Sequence, residues 1–537
     1  MTQASPGKKD LTMWGIVLYA TVLGAGVRLA MPVNSVAPLN DGGFFYSMIL
    51  DLQQNNFVLP LFSSYNAAHI PFVYPPLAFY FTALISTLLH LPVFDLLRLL
   101  PPVVSALCIP AFYLLAKEIF KSEALVALAV VIFAFIPRTL DWPVMGGGIT
   151  RSFGLLLALL AMRQLYLMFA ADSNRHVPLA ILLGALVVCT HPEAAVHTAA
   201  TAAIFYFFRD RSLAGLRRAL ITGAGVAILS APWWLTALAR HGAAALAAPI
   251  AAAGGDSASF FVRLLALFTF NFTDEYFLAV VAVLGLAGLA VELARRQYLL
   301  PAWLTALLLV EPRGGPLYMM IPHALMAAVA LDSLILPGLK TLAGQPGKIP
   351  AADGAGSASL KVLLDGKAPK IVLGYLLLYT LISSTMASVT LLQKYTLKPA
   401  DLEAFQWVRS NTAPGAQFVL LTGENALRDA SSEWFPALTG RRSLATLFGY
   451  EWVNDGRFPQ RRRDYDALQR CAGQDQGCLD EWSRDTGQAI DYVYIRKFIE
   501  DRPVQPALAG YLSLSNEYEQ VYESGGAVIF RHLTGAQ

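Results

Sequence analysis

The chain alternates long apolar stretches with short polar connections over most of its length and then changes character. Apolar runs fall near 11–31, 76–90, 99–116, 124–137, 152–170, 177–190, 194–208, 218–237, 276–294, 298–310, 316–337 and 371–391. At 1.5 Å per residue, runs of about twenty residues match roughly 30 Å of hydrocarbon. The pattern therefore predicts an α-helical polytopic membrane protein with about 11–12 transmembrane helices. The first run is too long for a secretory leader and is followed by no small-residue cleavage site before Asn40, so it is expected to stay as a helix.

From Lys398 the pattern turns polar and short-ranged. A helix is expected over Asp401–Asn411, with Leu402, Phe405 and Val408 on one face, and strands at Gln417–Leu421, Asp491–Ile495 and Ala527–Phe530. Two domains follow: a membrane domain over residues 1–397 and an α/β or α+β domain over 398–537. Between the last two apolar runs, residues 341–370 are rich in Gly, Ala, Ser and Pro with scattered Lys, the composition of a flexible linker. No internal repeat of fixed period is present.

Composition agrees with this pattern. The 537 residues are 56% hydrophobic and 14% charged, with a mean hydropathy of +0.51. Soluble chains carry about 25% charge, so an ordinary cytosolic enzyme is excluded. Forty basic against 37 acidic residues leave a net charge of +3, too balanced for a nucleic-acid partner. The basic residues sit instead in short loops: Lys8 and Lys9, Lys117 and Lys121, Arg175, the group Arg209, Arg211, Arg217 and Arg218, Arg295 and Arg296, and Lys340 to Lys370. The positive-inside rule puts these on the cytoplasmic side, with the N-terminus. The loop 32–75, segments 138–151, 191–193 and 238–275, the turn around Arg313 and the whole tail then face outward, across the plasma membrane. Parity requires one run not to cross. The short 76–90 run, opened by Tyr74-Pro75-Pro76, is the one expected to dip in and return. Cys471 and Cys478 flank a polar stretch of the outward tail and are placed to close a small disulfide ring, which suits an oxidising compartment.

Candidate chemistry gathers in the outward loops. Asp41, in Leu39-Asn40-Asp41-Gly42-Gly43, stands about ten residues beyond the first helix among glycines that let a substrate approach the backbone. Such a carboxylate is placed to accept a proton from a hydroxyl at the lipid boundary; an Asx-turn that shapes the loop is the alternative. His191-Pro192-Glu193, with His197 beyond, is either a ligand or substrate contact or a hydrogen-bonded turn. Asp274 and Glu275 are substrate contacts or a solvated helix start. In the tail, Ser432-Glu433-Trp434-Phe435-Pro436, Gly440-Arg441-Arg442 and Phe448-Gly449-Tyr450-Glu451-Trp452 are suited to grip sugar rings, although packing as a core is the simpler fate of their aromatics.

Four features together resemble one superfamily. They are the acidic residue soon after the first helix, the Tyr-Pro-Pro that opens the next run, Leu115-Ala116-Lys117-Glu118-Ile119-Phe120, and the Gly-rich loop from Arg138 to Arg151. The layout over most of residues 11–400 is similar to the polytopic GT-C glycosyltransferases: protein O-mannosyltransferases, lipid A aminoarabinose transferases and the catalytic subunit of oligosaccharyltransferase. The resemblance implies transfer of a sugar from a polyprenyl-phosphate or polyprenyl-diphosphate donor on the outer face, with inversion and with Asp41 as the base. It also implies an arginine at the donor phosphate, for which Arg313 in Glu311-Pro312-Arg313-Gly314-Gly315 and Arg151 are the candidates. The alternatives are an interfacial anchor paired with Glu311 for Arg313, and a snorkelling helix-start residue for Arg151. Tyr74, His191, Glu193, Asp274, Glu275 and Tyr318 complete the expected substrate-binding set.

The oligosaccharyltransferase branch carries an acidic pair in the second outer loop that helps to bind a divalent metal. This chain has Thr150 and Arg151 there, so no cofactor is certain and a metal stays open with its acidic pair absent. The Trp-Trp-Asp-Tyr-Gly sequence of that branch is also absent, so sequon recognition is not expected. A glycan, a lipid or a protein remains possible as acceptor, and membrane lipid is a partner throughout. The rival readings are a transporter or flippase, against which stand the long first outer loop and the absence of repeated halves, and a noncatalytic GT-C-like subunit of a membrane assembly.

Overall fold

The computed structural model describes residues 8–253, 265, 267–310, 315–342, 366–499, 502–503 and 506–533. The apolar runs become helices, with α2 and α6 added in the polar connections: α1 (Lys8–Asn34), α2 (Gly43–Gln54), α3 (Leu77–Leu89), α4 (Val93–Ile119), α5 (Glu123–Phe135), α6 (Asp141–Val144), α7 (Gly148–Ala170), α8 (Val177–Val188), α9 (Pro192–Arg209) and α10 (Leu213–Ala253). They continue with α11 (Val280–Ala294), α12 (Leu299–Val310), α13 (Gly315–Leu342) and α14 (Lys367–Lys394). By length and apolarity, six of the described helices can cross a bilayer: α1, α4, α7, α10, α13 and α14. A seventh is counted if α5 and the turn after it, bent by 73°, form one span. The expected count of 11–12 is higher because α3, α8, α11 and α12 are apolar but shorter than a bilayer requires, and α9, with 18 residues, is not among those apolar enough to span.

The bundle has two chemically distinct ends. At one, Glu118 pairs with Arg163 at 2.7 Å and Arg218 with Asp172 and Asp210, within the loops read as cytoplasmic. The other end gathers the loop after α1, the turn between α5 and α7, the starts of α9 and α11, and the tail. Both ends of α3 pack on neighbouring elements. The Leu77 N–H donates to the Cys189 carbonyl at 2.9 Å, and Val93, just past the helix, is buried with tail residues. At 13 residues α3 is too short to span a bilayer.

The polar stretch after α1 is more structured than its composition indicates. It holds α2 and a small hairpin, β1 (Phe62–Ser63) with β2 (Ile70–Pro71). Phe44, Met48, Ile49 and Leu52 on α2 are buried, the one-sided spacing of a helix laid on a core.

The tail is an α/β unit. Its helices are α15 (Pro399–Asn411), α16 (Ala430–Thr439), α17 (Phe458–Arg470), α18 (Gln476–Thr486) and α19 (Ala507–Leu514). Its strands are β3 (Gln417–Leu421), β4 (Arg442–Ser443), β5 (Tyr492–Arg496), the short pair β6 (Phe498–Ile499) and β7 (Arg502–Pro503), then β8 (Tyr518–Glu523) and β9 (Ala527–His532). The main sheet runs β4-β3-β5-β9-β8, parallel from β4 to β5 and antiparallel beyond. Alternate residues face opposite layers. Phe418, Leu420, Tyr494 and Ile529 pack toward α15, α16 and the membrane domain, whereas Val419, Leu421, Val493, Ile495 and Phe530 pack toward α17, α18 and α19. Cys471 and Cys478 form a disulfide beside this second layer. The first layer is continuous with α2 and α3, so tail and first outer loop share one hydrophobic core.

Candidate active site

The chain leaves α1 and is pinned to the end of α14, where the Asn40 N–H donates to the Tyr395 carbonyl and Leu39 bridges Thr396. Two residues later Gly42 takes φ +127°, and a Cβ there would lie 2.9 Å from the Gly146 backbone. Only glycine fits that crossing. Asp41 is thereby turned inward with 6% of its surface exposed.

The Gly-rich second loop supplies its partners. Gly147 caps α7, and its N–H donates to Asp41 Oδ1 at 2.9 Å. One turn into α7, Arg151 Nη2 donates to Asp41 Oδ2 at 2.6 Å. A carboxylate at a helix N-terminus, bonded to a backbone N–H and a guanidinium, is held by both the helix end and the cation. The guanidinium also lies 5.0 Å from the centre of the Trp142 ring. Its Nη1 is buried and makes no hydrogen bond among the described residues.

The tail closes the site from above. Glu433 on α16 accepts the N–H of Gly42 at 2.9 Å and of Phe44 at 3.3 Å, and Trp434 Nε1 donates to the Asn40 carbonyl at 3.0 Å. The Tyr74 hydroxyl shares a 3.0 Å hydrogen bond with Thr150, and its ring packs on Phe45, Phe79 and Trp452. Burial pushes the Tyr74 phenol up, with the Thr150 bond and Arg151 pulling the other way.

A second charged group lies across Trp142. Arg138 holds Asp274 at 2.7 Å, and Arg428 of the tail stacks 4.6 Å from the Tyr395 ring centre and donates to its hydroxyl. Asp141, in α6, has a buried Oδ1 without a hydrogen bond among the described residues. Burial, then Asp274, push Asp141 up to about 6 against the pull of Arg138, Arg428 and Arg151.

The expected site residues thus divide. Asp41, Arg151 and Tyr74 come together, and Glu193, in the first turn of α9, stands within electrostatic reach of Tyr74 and Arg151. His191 caps α9 through Nδ1, its ring 6.4 Å from Tyr74. Three further residues expected as substrate contacts have partners of their own away from the Asp41–Arg151 pair. Glu275 accepts the N–H groups of Val281 and Ala282 and works as a helix cap. Asp274 is held by Arg138. Tyr318 is 1% exposed and stacked 4.5 Å from His197 inside the bundle. Arg313 and Glu311 lie outside the described residues.

Glu433, Asp141, Arg138, Arg428 and Gly147 escaped the sequence reading as site residues. Asp141 was legible as the one carboxylate in the second outer loop; Glu433 carried no local signal. A divalent cation does not suit the donors at Asp41, because both carboxylate oxygens already face hydrogen-bond donors, one of them a guanidinium. No group of three or more His, Cys, Asp or Glu among the described residues is arranged to hold a metal.

Neither a family profile nor a curated protein matches the sequence. Solved structures do. ArnT from Cupriavidus metallidurans bound to undecaprenyl phosphate superposes at TM-score 0.54 and 15% identity, over 98% of each chain. The oligosaccharyltransferase AglB from Archaeoglobus fulgidus, in complex with an inhibitory peptide and a dolichol-phosphate, gives 0.54 and 13%, covering 98% of this chain and 75% of that one. The arabinofuranosyltransferase AftD from Mycobacteria gives 0.54 and 16%, over 99% of this chain and 42% of that one. The chain has the fold of the GT-C glycosyltransferases.

Proposed function

We propose that the protein is a GT-C type glycosyltransferase that moves a sugar from a polyprenyl-phosphate donor to an acceptor hydroxyl on the outer face of the plasma membrane, with inversion. The observation that carries this reading is the division of labour on Arg151. Nη2 holds Asp41, while the buried Nη1 has no hydrogen bond among the described residues. One guanidinium therefore has an arm for the base and an arm for a phosphate oxygen.

The reaction is a displacement. Asp41 takes the proton of the acceptor hydroxyl as its oxygen attacks the anomeric carbon. The bond from that carbon to the phosphate oxygen breaks, and the carrier leaves as polyprenyl phosphate with one more negative charge. Arg151 meets that growing charge, which favours the transition state over the ground state. Arg313 is the second phosphate arginine of this reading, and Tyr74, His191 and Glu193 border the approach to Arg151. The lipid phosphates in the similar ArnT and AglB structures support the donor class. The separation of the cytoplasmic-type arginine pairs from the Asp41 end supports the orientation.

The test uses the full chain in lipid nanodiscs, supplied with undecaprenyl-phosphate pentoses and hexoses and an acceptor mixture. Released undecaprenyl phosphate is measured. D41N is expected to lower the rate by about 10²–10⁴-fold, and R151M to lower it while weakening retention of undecaprenyl phosphate. Wild-type turnover in D41N, or release of carrier by neither protein, overturns the reading.

A further inference from the structure

Glu433 is 2% exposed and enters the Asp41 loop from a different domain. The first turn of α2 has orphan N–H groups, and its N-cap, Gly42, has no side chain to satisfy them. Glu433 Oε1 does so by accepting from Gly42 and Phe44 on either side of the turn. Its backbone carbonyl accepts the Tyr65 hydroxyl at 2.8 Å, and Trp434 beside it binds the Asn40 carbonyl. Three hydrogen bonds from two consecutive tail residues thus lock both flanks of Asp41, and a fourth ties the same turn of α16 to Tyr65.

The remaining oxygen sets the chemistry. Oε2 is buried with no hydrogen-bond partner among the described residues. A bare carboxylate oxygen in a dry site is far more costly than a carboxyl carrying a proton. The groups facing Glu433 are Asp41 and Arg151 from the membrane domain and the Tyr65 phenol from the first outer loop. The guanidinium is hydrogen-bonded to Asp41. Two carboxylates near a single cation in low dielectric cannot both ionise readily.

We propose that Glu433 is the positioning residue of the base: it carries a proton and clamps the Gly42–Phe44 turn that holds Asp41 in place. This rests on Asp41 being the base. Burial, then Asp41, push the Glu433 carboxyl well above the usual range, and the Gly42 and Phe44 N–H groups with Arg151 pull it back. As pH rises far enough to ionise Glu433, a new negative charge arises in a buried site beside Asp41 and Arg151 and disturbs the electrostatics of the base. Turnover then falls on the alkaline side.

The test compares wild type, D41N, E433A and E433Q as full chains in nanodiscs. Infrared difference spectra at neutral pH are expected to show a protonated-carboxyl band in wild type that E433Q lacks. Hydrogen exchange at Gly42 and Phe44 is expected to rise at least tenfold in E433A and to stay protected in E433Q. With undecaprenyl-phosphate sugars, E433A is expected to lose about 10–10² in kcat with KM within twofold. E433Q is expected to recover most of that loss and to lack the alkaline fall. Absence of the band, wild-type kcat in E433A, or equal loss in both Glu433 variants overturns the inference. Wild-type turnover in D41N instead overturns the assignment of the base, whatever Glu433 does.

Discussion

Gly147→Ala tests whether the position of Asp41 controls turnover. Gly147 has φ −67° and ψ −11°, a conformation open to alanine, so the substitution carries no backbone penalty. Its effect is steric and local. The new methyl would sit 2.5 Å from Asp41 Oδ2, 2.7 Å from Cγ and 2.8 Å from Oδ1. Ordinary contact begins near 3.4 Å, so the carboxylate must retreat by roughly 0.9 Å. It then loses or stretches the bonds to the Gly147 N–H and to Arg151, each of a kind worth about 1.5–3 kcal/mol. A displacement of about 1 Å in a reacting group costs on the order of 10²-fold in rate, or about 2.7 kcal/mol of barrier. The assay is the initial rate of undecaprenyl phosphate release in nanodiscs, with Tm measured on the same samples. G147A is expected to turn over about a hundredfold more slowly, with a stability loss within the roughly 1–3 kcal/mol of a crowded interior. G223A on α10, where a Cβ meets nothing within 4 Å, is the control. Full turnover in G147A with an intact fold would refute the argument that Asp41 must stand against Gly147 and Arg151.

Three further outcomes are expected. Arg28, 1% exposed on α1, donates to Ser105, to the carbonyls of Gly24 and Ala134, and to Thr139 in the turn before α6; R28K cannot reach all four, and unsatisfied acceptors at about 1–3 kcal/mol each should lower Tm in detergent, an unchanged Tm counting against the pin. C471S/C478S removes a bridge between residues seven apart, which in the chain-entropy picture costs about 2 kcal/mol; the tail should become more sensitive to protease while turnover at low temperature holds, since the bridge lies on the far layer of the sheet. Asp141 binds its proton more tightly folded than unfolded, so its contribution to stability is full below about pH 4 and fades as pH rises through about 6; D141N should flatten that slope in a Tm-against-pH series, and a parallel slope would argue against it.

What the sequence disclosed followed from periodicity and local chemistry. The apolar runs became helices because burial of backbone in lipid leaves few alternatives, and β3 lies at Gln417–Leu421 where its β-branched and aromatic residues placed it. Asp41 and Arg151 were legible as candidates because charges beside membrane helices are few, although 110 residues separate them. α2 was missed: its helix-favouring Met48-Ile49-Leu50 core is framed by Gly42-Gly43 and by Gln53-Gln54-Asn55-Asn56, which read as loop. Arg28 drew no reading from the sequence, since nothing local announces acceptors on two other helices. Glu433 was seen only as part of an aromatic motif. Its partner lies 391 residues away, and no one-dimensional pattern reports a contact of that range.

That range also fixes an order of events during synthesis. When α1 and the loop behind it have emerged, the amides of Gly42 and Phe44 still lack their acceptor, because residue 433 has yet to be made and carried across the bilayer. The nascent chain holds the Asp41 loop unfinished until residue 433 arrives. A chain truncated before α16 would leave both amides without that acceptor, so the turn beside Asp41 closes late, as a contact between the first polar loop and the tail.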